Sequence, residues 1–129
     1  MTPEAAQFLE KSRDDLNDAR KIARIGLAHV AARSAYYAAF HAAEALILER
    51  TGKIAKTHSG VRREFARLLK DTSTDREFMV FLARAYELKS RADYGTGNEA
   101  AISSTAADAA IQTAARFVDY IASLLGPVS

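Results

Sequence analysis

Ala31-Ala32-Arg33-Ser34-Ala35-Tyr36-Tyr37-Ala38-Ala39-Phe40-His41-Ala42-Ala43-Glu44 is the stretch on which the fold is read. Half of these residues are Ala, the strongest helix former, and neither Gly nor Pro interrupts them. At about 100° per residue, Tyr36, Phe40, Ala43 and Ile47 form one apolar stripe. Arg33, Tyr37, His41 and Glu44 run along its edge, so four functional side chains line one seam beside a core. The same pattern also fits an Arg and a His that close hydrogen bonds inside a helical bundle.

The helical pattern continues on both sides. A first helix is expected to start at Thr2, with Pro3 at its first position and Glu4 behind it, and to end at Gly26 or just before it. Phe8, Leu9, Leu16, Ala19, Ile22 and Ala23 recur at helical spacing there, while Lys11, Arg13, Asp14, Asp15, Asp18, Arg20 and Lys21 read as a solvated face. The Ala-rich helix should run from about Val30 to Arg50, followed by a loop from Gly52 to Thr57. A short third helix is expected over His58 to Lys70. Thr74-Asp75-Arg76-Glu77 reads as a capping box that opens a fourth helix ending near Tyr94, before Gly95-Thr96-Gly97-Asn98. A fifth should span Ser103 to Leu125 and stop at Gly126-Pro127. With no strand pattern, repeat or linker, the expectation is a single all-α domain over residues 1–129. It is an up-and-down bundle of four long helices plus one short crossing helix.

Composition agrees and excludes several classes. The chain has 129 residues, 49% hydrophobic and 26% charged, the balance of a folded globular domain. There is no Cys, which rules out disulfides, thiolate metal sites and Cys nucleophiles. The Met1-Thr2-Pro3-Glu4 start opens a charged amphipathic stretch rather than a signal peptide, and no apolar run reaches membrane-spanning length. A cytoplasmic protein with no membrane contact is the expectation. The net charge is only +2, so any pull on nucleic acid must be local. Such a patch exists. Between Arg50 and Lys70 seven cations face one acid, Glu64, and His58, Arg62 and Arg63 lie within it. It reads as a solvated surface, a phosphate or RNA contact, or a face for an acidic partner protein.

The fourth helix adds a second polar edge. Phe78, Phe81, Leu82, Ala85, Leu88 and Ala92 face one way, with Lys89 and Asp93 flanking them one turn apart. Arg33 is the expected partner of Asp93 across the bundle. His41-x-x-Glu44, with His58 as a third group, has metal-compatible spacing, but Zn sites usually add further ligands. No phosphate loop, dinucleotide turn or Ser–His–Asp order is present. Neither a metal nor a cofactor is expected.

Three blocks carry a resemblance: Arg33 to Ala43, then Lys56-Thr57-His58-Ser59-Gly60-Val61, then Ala92-Asp93-Tyr94-Gly95. In this order and spacing the chain resembles the HEPN-domain family, particularly its small stand-alone prokaryotic members. The resemblance implies a helical bundle, a homodimer, and pairing with a minimal (MNT-type) nucleotidyltransferase in a toxin–antitoxin or nucleotide/RNA-binding role. It also raises a metal-independent ribonuclease, in which Arg binds phosphate and His moves a proton at the ribose 2′-OH. Under that reading Arg33, His41 and His58 are the catalytic candidates, and Tyr37, Glu44, Arg62, Arg63, Lys89 and Asp93 the binding ones. Tyr94 falls near where relatives paired with MNT proteins can carry a nucleotidylated Tyr, although a helix-end Tyr that packs its ring and wets its hydroxyl is the favoured reading.

The family's ribonuclease signature, Arg followed by His after four to six residues near the end of the fourth helix, is not in place. Five residues beyond Lys89 stands Tyr94, and Thr96, Gly97 and Asn98 follow Arg91 at the corresponding distances. Lys89 stands where relatives have Arg, keeping the charge but losing the bidentate fork. Arg24 and His29 have the spacing but lie at the turn between the first two helices. The alternative is a non-enzymatic dimeric binding module for a nucleotide or an acidic protein.

Overall fold

In the computed structural model, which describes residues 1–99 and 101–128, the Ala-rich stretch lies in the second of five α-helices. These are α1 (Pro3–Arg24), α2 (Ala28–Thr51), α3 (His58–Leu68), α4 (Ser73–Tyr94) and α5 (Ser104–Leu125). A 3-10 turn at Gly97–Glu99 follows α4, and no strand occurs among the described residues. The protein is an all-α helical bundle.

Helix α2 touches every other helix and is the hub of the core. Its small side chains make that possible. Ala31, Ala35, Ala38, Ala39, Ala42, Ala43 and Ala45 are all fully buried, around most of the helix circumference. Helices pack closer when the residues between them are small. On α1 the buried residues are Ala5, Leu9, Ser12, Leu16 and Ala19, alternating steps of four and three. That is the seam of a two-helix contact, and it lies against α2. Ser12, in the middle of that seam, donates its hydroxyl to the Ala38 carbonyl at 2.6 Å, so a polar group is satisfied inside it. Helix α5 covers α1 and α2 with Phe117 at its centre, in ring contact with Phe65 at 5.2 Å and Phe78 at 5.3 Å. Burying each such ring stabilises the fold by roughly 1.5–3 kcal/mol.

The helix ends follow local chemistry. Thr2 caps α1, accepting from the Ala5 N–H, and Pro3 starts the helix as expected. Helix α2 stops where Gly52 takes the left-handed conformation at φ 71°. It extends two residues before Val30 and one beyond Arg50, while α3 ends at Leu68 rather than Lys70. The capping box of α4 is not the expected one. Thr72, not Thr74, is the cap, and Asp75, not Glu77, reaches back to the Thr72 N–H. Asp75 is almost fully buried, where it also accepts from the Lys70 N–H and the Tyr120 hydroxyl, so the helix start is tied to α5. Glu77 instead pairs with Arg116 on the surface. No described helix is long and apolar enough to cross a membrane.

Candidate functional site

The polar edge of α2 and the end of α4 do meet. Asp93 binds two cations at once: Lys89 Nζ at 2.8 Å and Arg33 Nη1 at 3.0 Å. The two cations are not equivalent. The Lys89 side chain is 9% exposed, whereas that of Arg33 is 42% exposed. Lys89 does not flank the apolar face of α4, as its spacing suggested. It continues the buried row Phe78, Leu82, Ala85, Lys89. A buried ammonium is tolerable only with a close anion. Its bond to Asp93 holds the Lys89 pKa above the ordinary value despite burial. Burial by itself would raise the Asp93 carboxyl, but hydrogen bonds from Lys89 and Arg33 outweigh it and hold the group below the usual carboxylate range.

Tyr37 stands in the middle of the seam. Its ring lies 5.9 Å from Lys89 Nζ and stacks on the His41 ring at 5.9 Å. His41 has a carboxylate on each side and is hydrogen-bonded on one of them. Nδ1 is 2.6 Å from Glu44, which is buried, and Nε2 is 3.5 Å from Asp15 on α1. Burial raises the Asp15 carboxyl more than the neighbouring His41 lowers it. Both nitrogens of this imidazole therefore already face carboxylates.

His58, at the start of α3, sits differently. Phe40 separates the two imidazoles, with ring centroids 5.4 Å from His41 and 5.0 Å from His58. His58 Nδ1 shares a 2.6 Å hydrogen bond with the Tyr36 hydroxyl, and among the described residues Nε2 has no partner. Burial first, and then the Lys89 and Arg62 charges, lower the His58 pKa below its ordinary value, so the ring is neutral at neutral pH. Burial pushes the Tyr36 phenol well above its ordinary value, so it stays protonated. Beyond His58 lies the Tyr86 ring at 5.0 Å, and the Arg62 guanidinium covers that ring at 4.6 Å. One Arg62 nitrogen is buried without a hydrogen-bond partner among the described residues.

Arg33, Tyr37, His41, Glu44, His58, Arg62, Lys89 and Asp93 thus share one seam between α2, α3 and α4. Tyr94 stands at its end, 79% exposed, with its ring 5.7 Å from Lys89 Nζ. Arg63 does not join them. A single residue step turns it to the other flank of α3, where it lines a separate cleft. Three members escaped sequence reading: Asp15, Tyr36 and Tyr86. Asp15 reads as one charge among many on a solvated face, and Tyr86 carries no spacing signal. Tyr36 reads as core, which it is; the rule that a buried phenol finds a polar partner is the one hint that its hydroxyl matters. Among the described residues no group of three or more His, Asp or Glu is placed to hold a metal ion. His41 and Glu44, which have ligand spacing, bond to each other instead.

A family profile described as HEPN domain matches residues 5–124 of the chain. The chain is also 32% identical over 91 residues to an Archaeoglobus fulgidus protein named UPF0332 protein, an alignment covering 70% of this chain and 72% of that relative.

Proposed function

The chain belongs to the HEPN family, whose roles are nucleotide- and RNA-related, and from that premise we propose that it binds the phosphate of a nucleotide or RNA in the seam between α2 and α4. In this reading it acts as a homodimer paired with an MNT-type nucleotidyltransferase, in a toxin–antitoxin setting. The observation that carries the reading is Lys89, a buried ammonium kept charged by Asp93, beside the Tyr37 ring and within the same seam as two imidazoles. Arg33 is exposed enough to leave Asp93 for a phosphate, while Lys89 is not. Tyr37 and Tyr94 offer rings on which a base can stack. A two-fold arrangement would set two such seams side by side.

The geometry separates the two imidazoles by role. His41, hydrogen-bonded to Glu44 and facing Asp15 across 3.5 Å, is suited to hold position. His58, neutral and with Nε2 unengaged, is suited to move a proton at a ribose 2′-OH. Metal-independent RNA cleavage would therefore rest on His58, with Arg33 or Arg62 on the phosphate. The absence of the Arg-x4-6-His signature and the presence of Lys at position 89 favour the second reading, a binding module that does not cleave.

The test is titration of the purified full chain with ATP and with single-stranded RNA, followed by RNA incubation in excess EDTA. Arg33→Ala should weaken phosphate-dependent binding at least tenfold. EDTA-resistant cleavage that His58→Ala abolishes would establish the ribonuclease. Binding without cleavage at high protein concentration would establish the module. Unchanged binding in Arg33→Ala would remove the seam from the account. Sedimentation as a monomer at every concentration would remove the homodimer.

A further inference from the structure

A cleft of about 510 Å³ opens between the C-terminal turns of α2, the 52–57 loop and the flank of α3 opposite His58. Ile47 and Ile54 give it an apolar floor, and Lys53, Lys56, Arg63 and Arg67 stand around it. Arg67 is answered by Glu64 in a two-bond pair at 3.0 and 2.8 Å. The Lys53, Lys56 and Arg63 side chains have no hydrogen-bond or ion-pair partner among the described residues, and all three are exposed. The two threonines on the lining are already engaged: Thr51 donates to the Ile47 carbonyl, and Thr57 accepts from the Gly60 N–H. The cleft thus offers free positive charge and apolar contact, with few neutral groups left to read a hydrogen-bonding pattern.

We propose that this cleft is a second binding site, holding one phosphate-bearing nucleotide unit of an RNA without reading its base. The inference rests on the reading that the protein handles RNA, but not on the seam. The volume falls within the range of sites that enclose a small ligand, rather than the length of a groove that seats a helix. Ile54, 52% exposed, presents apolar surface where a base can lie. Arg63 can meet a phosphate with its planar fork and stack its guanidinium on a base. Because α3 separates cleft and seam, a strand crossing that short helix would engage both.

The experiment measures anisotropy of labelled oligouridylate and oligoadenylate with the full chain over a series of salt concentrations. Variants are Lys56→Glu/Arg63→Glu for the cleft, Arg33→Ala for the seam and Arg20→Glu for overall charge. The cleft double variant should lose at least tenfold in affinity at about 0.1 M salt. Its log–log salt slope should shrink by about 0.7, one phosphate contact on single-stranded nucleic acid. The two sequences should bind within about threefold of each other. A mononucleotide that competes as well as the oligomer would identify a free nucleotide, rather than RNA, as the source of the bound phosphate. Unchanged affinity and slope in the double variant, with loss in Arg33→Ala, would overturn the cleft and leave the seam standing. Absence of any RNA or nucleotide binding by the wild type would overturn both. An oligoglutamate peptide whose binding the double variant abolishes, with RNA binding untouched, would assign the cleft to an acidic protein and overturn the inference.

Discussion

Two cationic regions lie on either flank of α3, and they are built in opposite ways. In the seam Lys89 and Arg33 share Asp93, and His41 lies between Glu44 and Asp15, while Arg62 lies over the Tyr86 ring. In the cleft Lys53, Lys56 and Arg63 have no partner among the described residues. The difference follows from water. An ammonium as buried as that of Lys89 loses its hydration and needs an anion within hydrogen-bond reach. An exposed Lys or Arg keeps its hydration and needs nothing. A ligand therefore meets two kinds of positive charge. Under the proposed function, a phosphate entering the seam would have to displace the Asp93 carboxylate from Arg33, which would give geometric control. The cleft offers charge that costs little to engage, which gives affinity that salt will screen.

The largest effect should come from breaking the buried pair on one side only. Asp93→Leu leaves Lys89 buried without its anion and should cost about 3–5 kcal/mol in urea unfolding. Lys89→Met combined with Asp93→Leu should recover most of that loss, because two apolar side chains then fill the space. Arg33→Met, in contrast, should cost less than about 1 kcal/mol, since that guanidinium is 42% exposed. If Asp93→Leu unfolds no more easily than Arg33→Met, the contrast between a dry Lys89 and a wet Arg33 is wrong.

This inequality between Lys89 and Arg33 marks where the sequence stopped being legible. The five helices and the helix edges that carry Arg33 and Asp93 follow from periodicity, because spacing tells which residues share a face, whereas the pairing of the two is an expectation from opposite charge. Spacing along one helix does not tell what a neighbouring helix sets opposite that face. Lys89 therefore reads as a flank residue although it completes the buried row of α4. His41 reads as a seam residue of α2 with no indication that α1 brings Asp15 to it. The misplaced cap has the same origin. Thr72 and Thr74 are both followed three residues on by an acid, and burial of Asp75 against Tyr120 decides between them. Arg62 and Arg63, adjacent in one basic run, part onto two sites because one residue is about 100° of helix.

An intermediate effect tests how dry the His58 side of the seam is. Tyr36→Phe removes the hydroxyl and leaves His58 Nδ1 without its partner, which should cost about 1–2 kcal/mol. The same imidazole predicts a pH dependence. Its pKa is lower in the folded chain than the ordinary value near 6.5, so below that pH the unfolded chain binds more protons. Stability should therefore decline as pH falls from about 6.5 towards the lowered value, before the carboxylates titrate. In His58→Gln the decline over that interval should shrink, as thermal unfolding at pH 7 and pH 5.5 would show. A decline of equal size in the variant would locate the titrating group elsewhere.

The smallest effect is expected in the cleft, and its smallness is the informative part. Neutralising Lys56 and Arg63 together as Lys56→Gln/Arg63→Gln removes no ion pair and no hydrogen bond. It should change unfolding free energy by no more than about 0.5 kcal/mol. Its sign should be stabilising at low salt, because Lys53, Lys56, Arg63 and Arg67 lie around one cleft and repel one another. Raising the salt should erase the gain within a Debye length's reach. If the double variant instead destabilised the chain, these side chains would have a structural role after all, and their lack of internal partners would no longer point outward to a ligand.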